Sequence, residues 1–107
     1  MNNLFRKAKV LVDNVLAGYL EETDEGYTFC YLIDYLNSNL PPVSLTLPKR
    51  EEAYISKTLF PFFDGLIPEG WLLDIVMNNW KLDASDRFGL LLVSCKDPIG
   101  NVIIEEA

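Results

Sequence analysis

The chain has 107 residues, enough for one small domain with a single core and too few for two. Half of it is hydrophobic and 12% is aromatic, which excludes a disordered chain. With 16 acidic against 9 basic residues the formal charge is −7, which argues against direct nucleic-acid binding, because that needs a basic face to displace counterions.

Lys7–Val12 and Val15–Glu22 read as two strands joined at Asp13-Asn14, since Asp and Asn tolerate the positive φ of a two-residue hairpin turn. The expected pairs are Val12 with Val15, Val10 with Ala17 and Ala8 with Tyr19, which makes one face wholly apolar. The opposite face then carries Lys7, Lys9, Leu11, Leu16, Gly18 and Leu20, a mixed set typical of a half-buried antiparallel hairpin.

An acidic loop over Glu21–Gly26 leads into a third strand, Tyr27–Leu32, with Tyr27, Phe29 and Tyr31 on one face and Thr28 and Cys30 on the other. Asp34–Asn39 suggests a short helical turn. Pro41-Pro42 forces an extended entry into Val43–Leu47, where Val43, Leu45 and Leu47 alternate with Ser44 and Thr46 as in a strand. Pro48–Glu52 reads as a loop.

After Phe63 the period changes. Pro68 suits a first helical turn, and Glu69 complements the positive end of the dipole of a helix over Glu69–Lys81. Asp83 is the expected cap of a second helix near Ala84–Cys95, with Asp86 in its first turn. Asp97-Pro98-Ile99-Gly100 reads as a turn and Val102–Glu105 as a closing strand. Strands, then helices, then one strand make an α+β domain, residues 1–107, with a mainly antiparallel sheet and two or three short helices.

Chemistry-bearing patterns are sparse. The chain has no histidine, so the commonest general base and metal ligand is missing. It has no Gly-rich phosphate loop, and neither Cys30 nor Cys95 has a metal-like spacing. Glu51-Glu52 and Asp83/Asp86 read as a solvated loop and a helix cap rather than an acid–base pair. Glu21–Glu25 lacks the spacing of a calcium loop. No catalytic residue, cofactor or metal is expected. No apolar stretch reaches membrane-spanning length, and Met1–Lys7 is not followed by a secretory apolar region. The expected compartment is the cytoplasm, where both cysteines should be free and mostly buried, with a single disulfide as the alternative.

The informative stretch is Phe62–Trp80. Projected at 100° per residue, the helix places Leu72, Leu73, Val76, Met77 and Trp80 on a core stripe. Asp74, Asn78 and Lys81 fall on the other side, and Trp71 falls among them with Ile75 beside it. Tryptophan on a polar helix face is the residue type most enriched at interface hot spots. Trp71 and Ile75, with Pro68, Glu69 and Gly70 setting the entry angle, are therefore the candidate partner-binding residues. The alternative has Trp71 packing under the preceding Leu59–Ile67 loop. Phe60, Phe62 and Phe63 are expected in the core.

"KVLVDNVLAGYLEE", "VSLTLP", "LFPFFDGLIPEGW" and "DRFGLLLVSCKDPIGNVII" stand in the order seen at the N-terminus of HipA-type kinases, and from about Lys7 to Glu105 the chain resembles the HipA N-terminal subdomain. That resemblance implies a bacterial serine/threonine kinase system in which the kinase core follows this subdomain. The sequence stops at Ala107, so the family's ATP-binding and catalytic residues are not expected here. A freestanding copy of the subdomain is found in tripartite toxin–antitoxin systems, as a HipS-like antitoxin beside a short HipT-like kinase and a HipB-like helix-turn-helix DNA-binding protein. The chain is similar to that small protein. The expectation is an antitoxin that neutralises a HipA/HipT-like kinase. The alternatives are an accessory subunit that supports the kinase and an adaptor between kinase and repressor.

Overall fold

The computed structural model describes residues 5–67, 86–94 and 101–107. Five strands form one antiparallel sheet: β1 (Lys7–Val12), β2 (Val15–Thr23), β3 (Gly26–Tyr31), β4 (Tyr54–Ser56) and β5 (Val102–Glu106), in the order β4-β3-β2-β1-β5. Three short helices accompany it among the described residues: α1 (Ile33–Leu36), α2 (Pro61–Asp64) and α3 (Arg87–Ser94). The architecture is the expected α+β domain on an antiparallel sheet.

The β1–β2 turn forms as its residues dictate, with Asp13 at φ 51° and Asn14 at φ 67°. The register beyond it differs from expectation. Val12 pairs with Val15 and Leu11 with Leu16, but Val10 pairs with Gly18, Lys9 with Tyr19 and Ala8 with Leu20. The expected Val10–Ala17 and Ala8–Tyr19 pairs do not form. Ala17 is the extra residue of a β-bulge, and its carbonyl accepts from the amide of Leu32 at 2.8 Å. Beyond the bulge the faces of β2 are reversed, so that Leu20 joins Ala8, Val10, Val12 and Ala17 in the core and Tyr19 is half-buried; Val15, ahead of the bulge, is exposed. Gly18 is required here because a Cβ would lie 2.2 Å from the carbonyl oxygen of Cys30 on β3.

The loop expected over Glu21–Gly26 shrinks to Asp24-Glu25, since Thr23 already pairs with Gly26. On β3, Phe29 and Tyr31 are buried, and Tyr27 packs against the cluster they belong to. Cys30 points to the other face as an exposed free thiol, correcting the expectation of a buried one; Cys95 lies outside the described residues. Strand β4 pairs with β3 from Tyr27–Ser56 to Phe29–Tyr54 and forms one edge. Its three residues were not legible in the sequence.

The expected strand Val43–Leu47 is instead a turn. Leu47 N–H donates to the Ser44 carbonyl at 3.0 Å, and Ser44 Oγ accepts the amide of Thr46 at 3.2 Å. Tyr31 causes this: its hydroxyl donates to the Leu47 carbonyl and accepts from the Val43 amide at 2.9 Å. Val43 and Leu47 turn inward and Leu45 is left 96% exposed.

The core lies on one face of the sheet. Ala8, Val10, Val12, Leu20, Phe29, Tyr31, Val102 and Ile104 meet Tyr35 of α1, Phe63 of α2, and Phe88, Leu90 and Leu91 of α3. Aromatic contacts run through it, from Tyr35 stacked on Tyr31 (5.9 Å) through Phe29 (4.9 Å) to Phe63 (5.5 Å). Phe60 and Phe63 are buried and Phe62 packs against them, as expected.

Candidate partner-binding surface

The candidate residues Pro68, Glu69, Gly70, Trp71 and Ile75 lie outside the described residues, as do Trp80 and the expected cap Asp83. The two shoulders of that stretch are well defined. On the first, Pro61 opens α2 with the fixed φ that suits a first helical position. The turn closes through Gly65 N–H to the Pro61 carbonyl (2.9 Å) and Leu66 N–H to the Phe63 carbonyl (3.0 Å). Ile67 is then buried, anchoring the chain where the described part ends.

On the second shoulder, Asp86 stands at the N-cap of α3 rather than inside its first turn. Its carbonyl accepts from Leu90 N–H (3.0 Å) and its Oδ1 from Gly89 N–H (3.1 Å). Arg6, just before β1, holds this cap from across the chain. Its Nη2 and Nη1 donate to Asp86 Oδ1 (2.6 Å) and Oδ2 (3.0 Å), while its Nε and Nη2 donate to Glu22 Oε1 (2.7 Å) and Oε2 (2.9 Å). The guanidinium also sits 5.3 Å from the centre of the Phe88 ring, which stacks on Tyr27 at 6.0 Å. Hydrogen bonds from Arg6 hold the carboxyls of Glu22 and Asp86 below their ordinary range, and both in turn raise the pKa of Arg6. Gly89 leaves room for the cluster: a Cβ there would lie 2.3 Å from Asp86 Oδ2 and 2.8 Å from Arg6 Nη1.

A second ion pair joins the shoulders directly, with Arg87 Nε 2.7 Å from Asp64 Oδ1. Asp86 was placed by the sequence reading, but its pairing with Arg6 and that of Arg87 with Asp64 escaped it. The only hint was the Asp-Arg-Phe-Gly run itself, because Arg6 and Asp86 stand 80 positions apart.

Apolar side chains stand free elsewhere. Besides Leu45, Ile55 on edge strand β4 is 79% exposed, and Ile33 of α1 is also open. No polar or charged residue is buried among the described residues, and none of them form a cluster of three or more metal-ligating side chains. No helix among the described residues is long and apolar enough to cross a membrane. What the arrangement offers chemically is surface: an acidic exterior, a few exposed aliphatic side chains and two ionic brackets around one stretch of chain.

A five-stranded antiparallel sheet backed on one face by short helices defines a small α+β domain. A family model described as the HipA N-terminal domain matches residues 8–105, and the chain belongs to that family. A solved structure of the "N-terminal domain of HipA toxin" superposes with a TM-score of 0.75 at 32% identity, covering 100% of this chain and 97% of that one. An uncharacterized protein of Haemophilus influenzae is 37% identical over 106 residues, covering 99% of this chain and 97% of the relative.

Proposed function

We propose that this chain is a non-catalytic antitoxin that binds and neutralises a HipA/HipT-like serine/threonine kinase in the cytoplasm. The observation that supports it best is the extent of the family match, residues 8–105, together with a relative that is itself covered over 97% of its length. That relative carries this domain and little else. A domain that forms part of the HipA toxin in one protein can then act in trans on a kinase that lacks it. In this reading the segment Pro68–Ile75, with Trp71 as anchor, inserts at or near the nucleotide-binding lobe. There it prevents the arrangement of loop, lysine and metal that phosphoryl transfer requires. The charge of −7 speeds encounter with a basic kinase surface. A HipB-like DNA-binding protein is the expected third member of the complex, and it rather than this chain contacts DNA.

Co-expression with the cognate kinase tests the reading. Growth should be restored and kinase-dependent phosphorylation should fall, while the purified chain neither hydrolyses ATP nor shifts duplex DNA. Increased phosphorylation on co-expression would instead identify an accessory subunit that supports the kinase.

A further inference from the structure

Helix α1 ends at Leu36 and β4 begins at Tyr54, and the connection between them, residues 37–53, carries one isolated bridge, Ser44 with Leu47. Connections in compact domains usually run to about 4–6 residues, and a longer one is commonly either functional or disordered. This one is held in place by side chains that bond its backbone. The Tyr35 hydroxyl donates to the Pro41 carbonyl (2.5 Å) and the Tyr54 hydroxyl to the Pro48 carbonyl (2.6 Å). Lys49 Nζ donates to the carbonyls of Ser38 and Leu40, both at 2.9 Å. The Tyr31 hydroxyl bonds both ends of the turn over residues 43–47.

At the tip of that turn stands Leu45, 96% exposed between the buried Val43 and Leu47. An exposed leucine alone means little; what distinguishes Leu45 is the scaffold beneath it. Ser44 Oγ accepts the amide of Thr46 (3.2 Å) and lies 2.9 Å from Thr46 Oγ1, so the residues on both sides of Leu45 are fixed to each other. A tip already set in place gives up little conformational freedom on docking. Its charge pattern says what it docks into. The chain carries a formal charge of −7, yet residues 35–48 contain no Asp, Glu, Lys or Arg, the longest such run in the sequence. Interface cores are depleted of charged residues, and a partner that covers this run strips water from no charge. A charge-free tip therefore matches an uncharged apolar socket, not the basic surface that suits the rest of the chain. We propose that the turn over residues 43–47 is a preformed docking knob whose Leu45 enters an uncharged apolar pocket on the partner kinase. The identity of that partner rests on the function proposed above.

The full chain is compared with Leu45→Ser, Leu45→Met and Ile55→Ser in thermal melts, in titrations against the cognate kinase and by sedimentation. Ile55 is the control, an aliphatic side chain 79% exposed on β4 and outside the uncharged run. Leu45→Ser should move the melting temperature by less than about 4 °C, because the side chain it removes is in water. Its kinase affinity should fall at least about tenfold, the loss of one leucine side chain's burial. Leu45→Met, which keeps an apolar side chain of similar volume, should bind within about threefold of the parent. Ile55→Ser should match the parent. Equal kinase binding by parent and Leu45→Ser overturns the proposal and leaves the antitoxin reading standing. An equal loss in Ile55→Ser overturns it too, since the turn would then have no special part. Unfolding of Leu45→Ser overturns it by making Leu45 a structural residue. Self-association of the parent that Leu45→Ser abolishes, with kinase binding intact, assigns the knob to a second copy of the chain and overturns the kinase pocket. A parent that does not bind the kinase at all defeats the antitoxin reading, and this proposal with it.

Discussion

Replacing Arg6 with methionine keeps the aliphatic stem beside Phe88 and removes the four side-chain hydrogen bonds to Glu22 and Asp86. The released carboxylates are 19% and 30% exposed, so each regains only part of its hydration. Charge-assisted hydrogen bonds contribute up to about 1.5–3 kcal/mol each, but water screens this half-open cluster, and the network as a whole is worth about 2–3 kcal/mol. In a domain of this size that lowers the melting temperature by roughly 10–15 °C. The pH dependence separates the cause. Hydrogen bonding to Arg6 is the largest reason that Glu22 and Asp86 titrate below their ordinary values. Groups whose folded pKa is depressed stabilise the fold above their unfolded pKa, about 4, and lose that contribution as pH falls through the folded value. Thermal melts from pH 7 down to about pH 2 should therefore show a gap between parent and Arg6→Met that is full at neutral pH and closes below about pH 4. A gap that stays constant down to the acid end would refute the ionic account and assign the loss to packing on Phe88.

Gly18→Ala should destabilise the domain by about 3 kcal/mol or more, since its methyl group meets the backbone of β3 at 2.2 Å; chemical denaturation measures it. Tyr31→Phe should cost about 1–3 kcal/mol by stranding the buried Val43 amide and the Leu47 carbonyl. Burial pushes the Tyr31 phenol up to about 12 and also raises Tyr27 and Tyr35, so ultraviolet titration should show a step near pH 12 that is absent from the variant. The helix projected over Glu69–Lys81 sets two tryptophans against each other. Trp80→Ala should cost about 3–5 kcal/mol of stability. Trp71→Ala should leave melting almost unchanged and weaken kinase binding by at least about 2 kcal/mol. Equal unfolding by both would make Trp71 a core residue.

Local chemistry was enough to read much of this protein from its sequence. Asp13-Asn14 adopts the positive φ that its residue types tolerate, and the alternation along Lys7–Val12 and Tyr27–Tyr31 marks strands wherever they pack. The quoted motifs likewise pointed to the family that residues 8–105 match. What only the tertiary structure decided depends on groups far apart in the chain. The bulge at Ala17 moved Leu20 into the core, and next to it Gly18 lets β3 approach closely; neither is set by the local sequence alone. Val43–Leu47 alternates like a strand, yet the Tyr31 hydroxyl bonds both of its ends and folds it into a turn with Leu45 outside. Asp86 reads locally as a residue of a first helical turn. Arg6, 80 positions away, turns that cap into one side of a bracket around the candidate binding segment, because a charged cluster is assembled by the fold and leaves no periodic trace in the sequence.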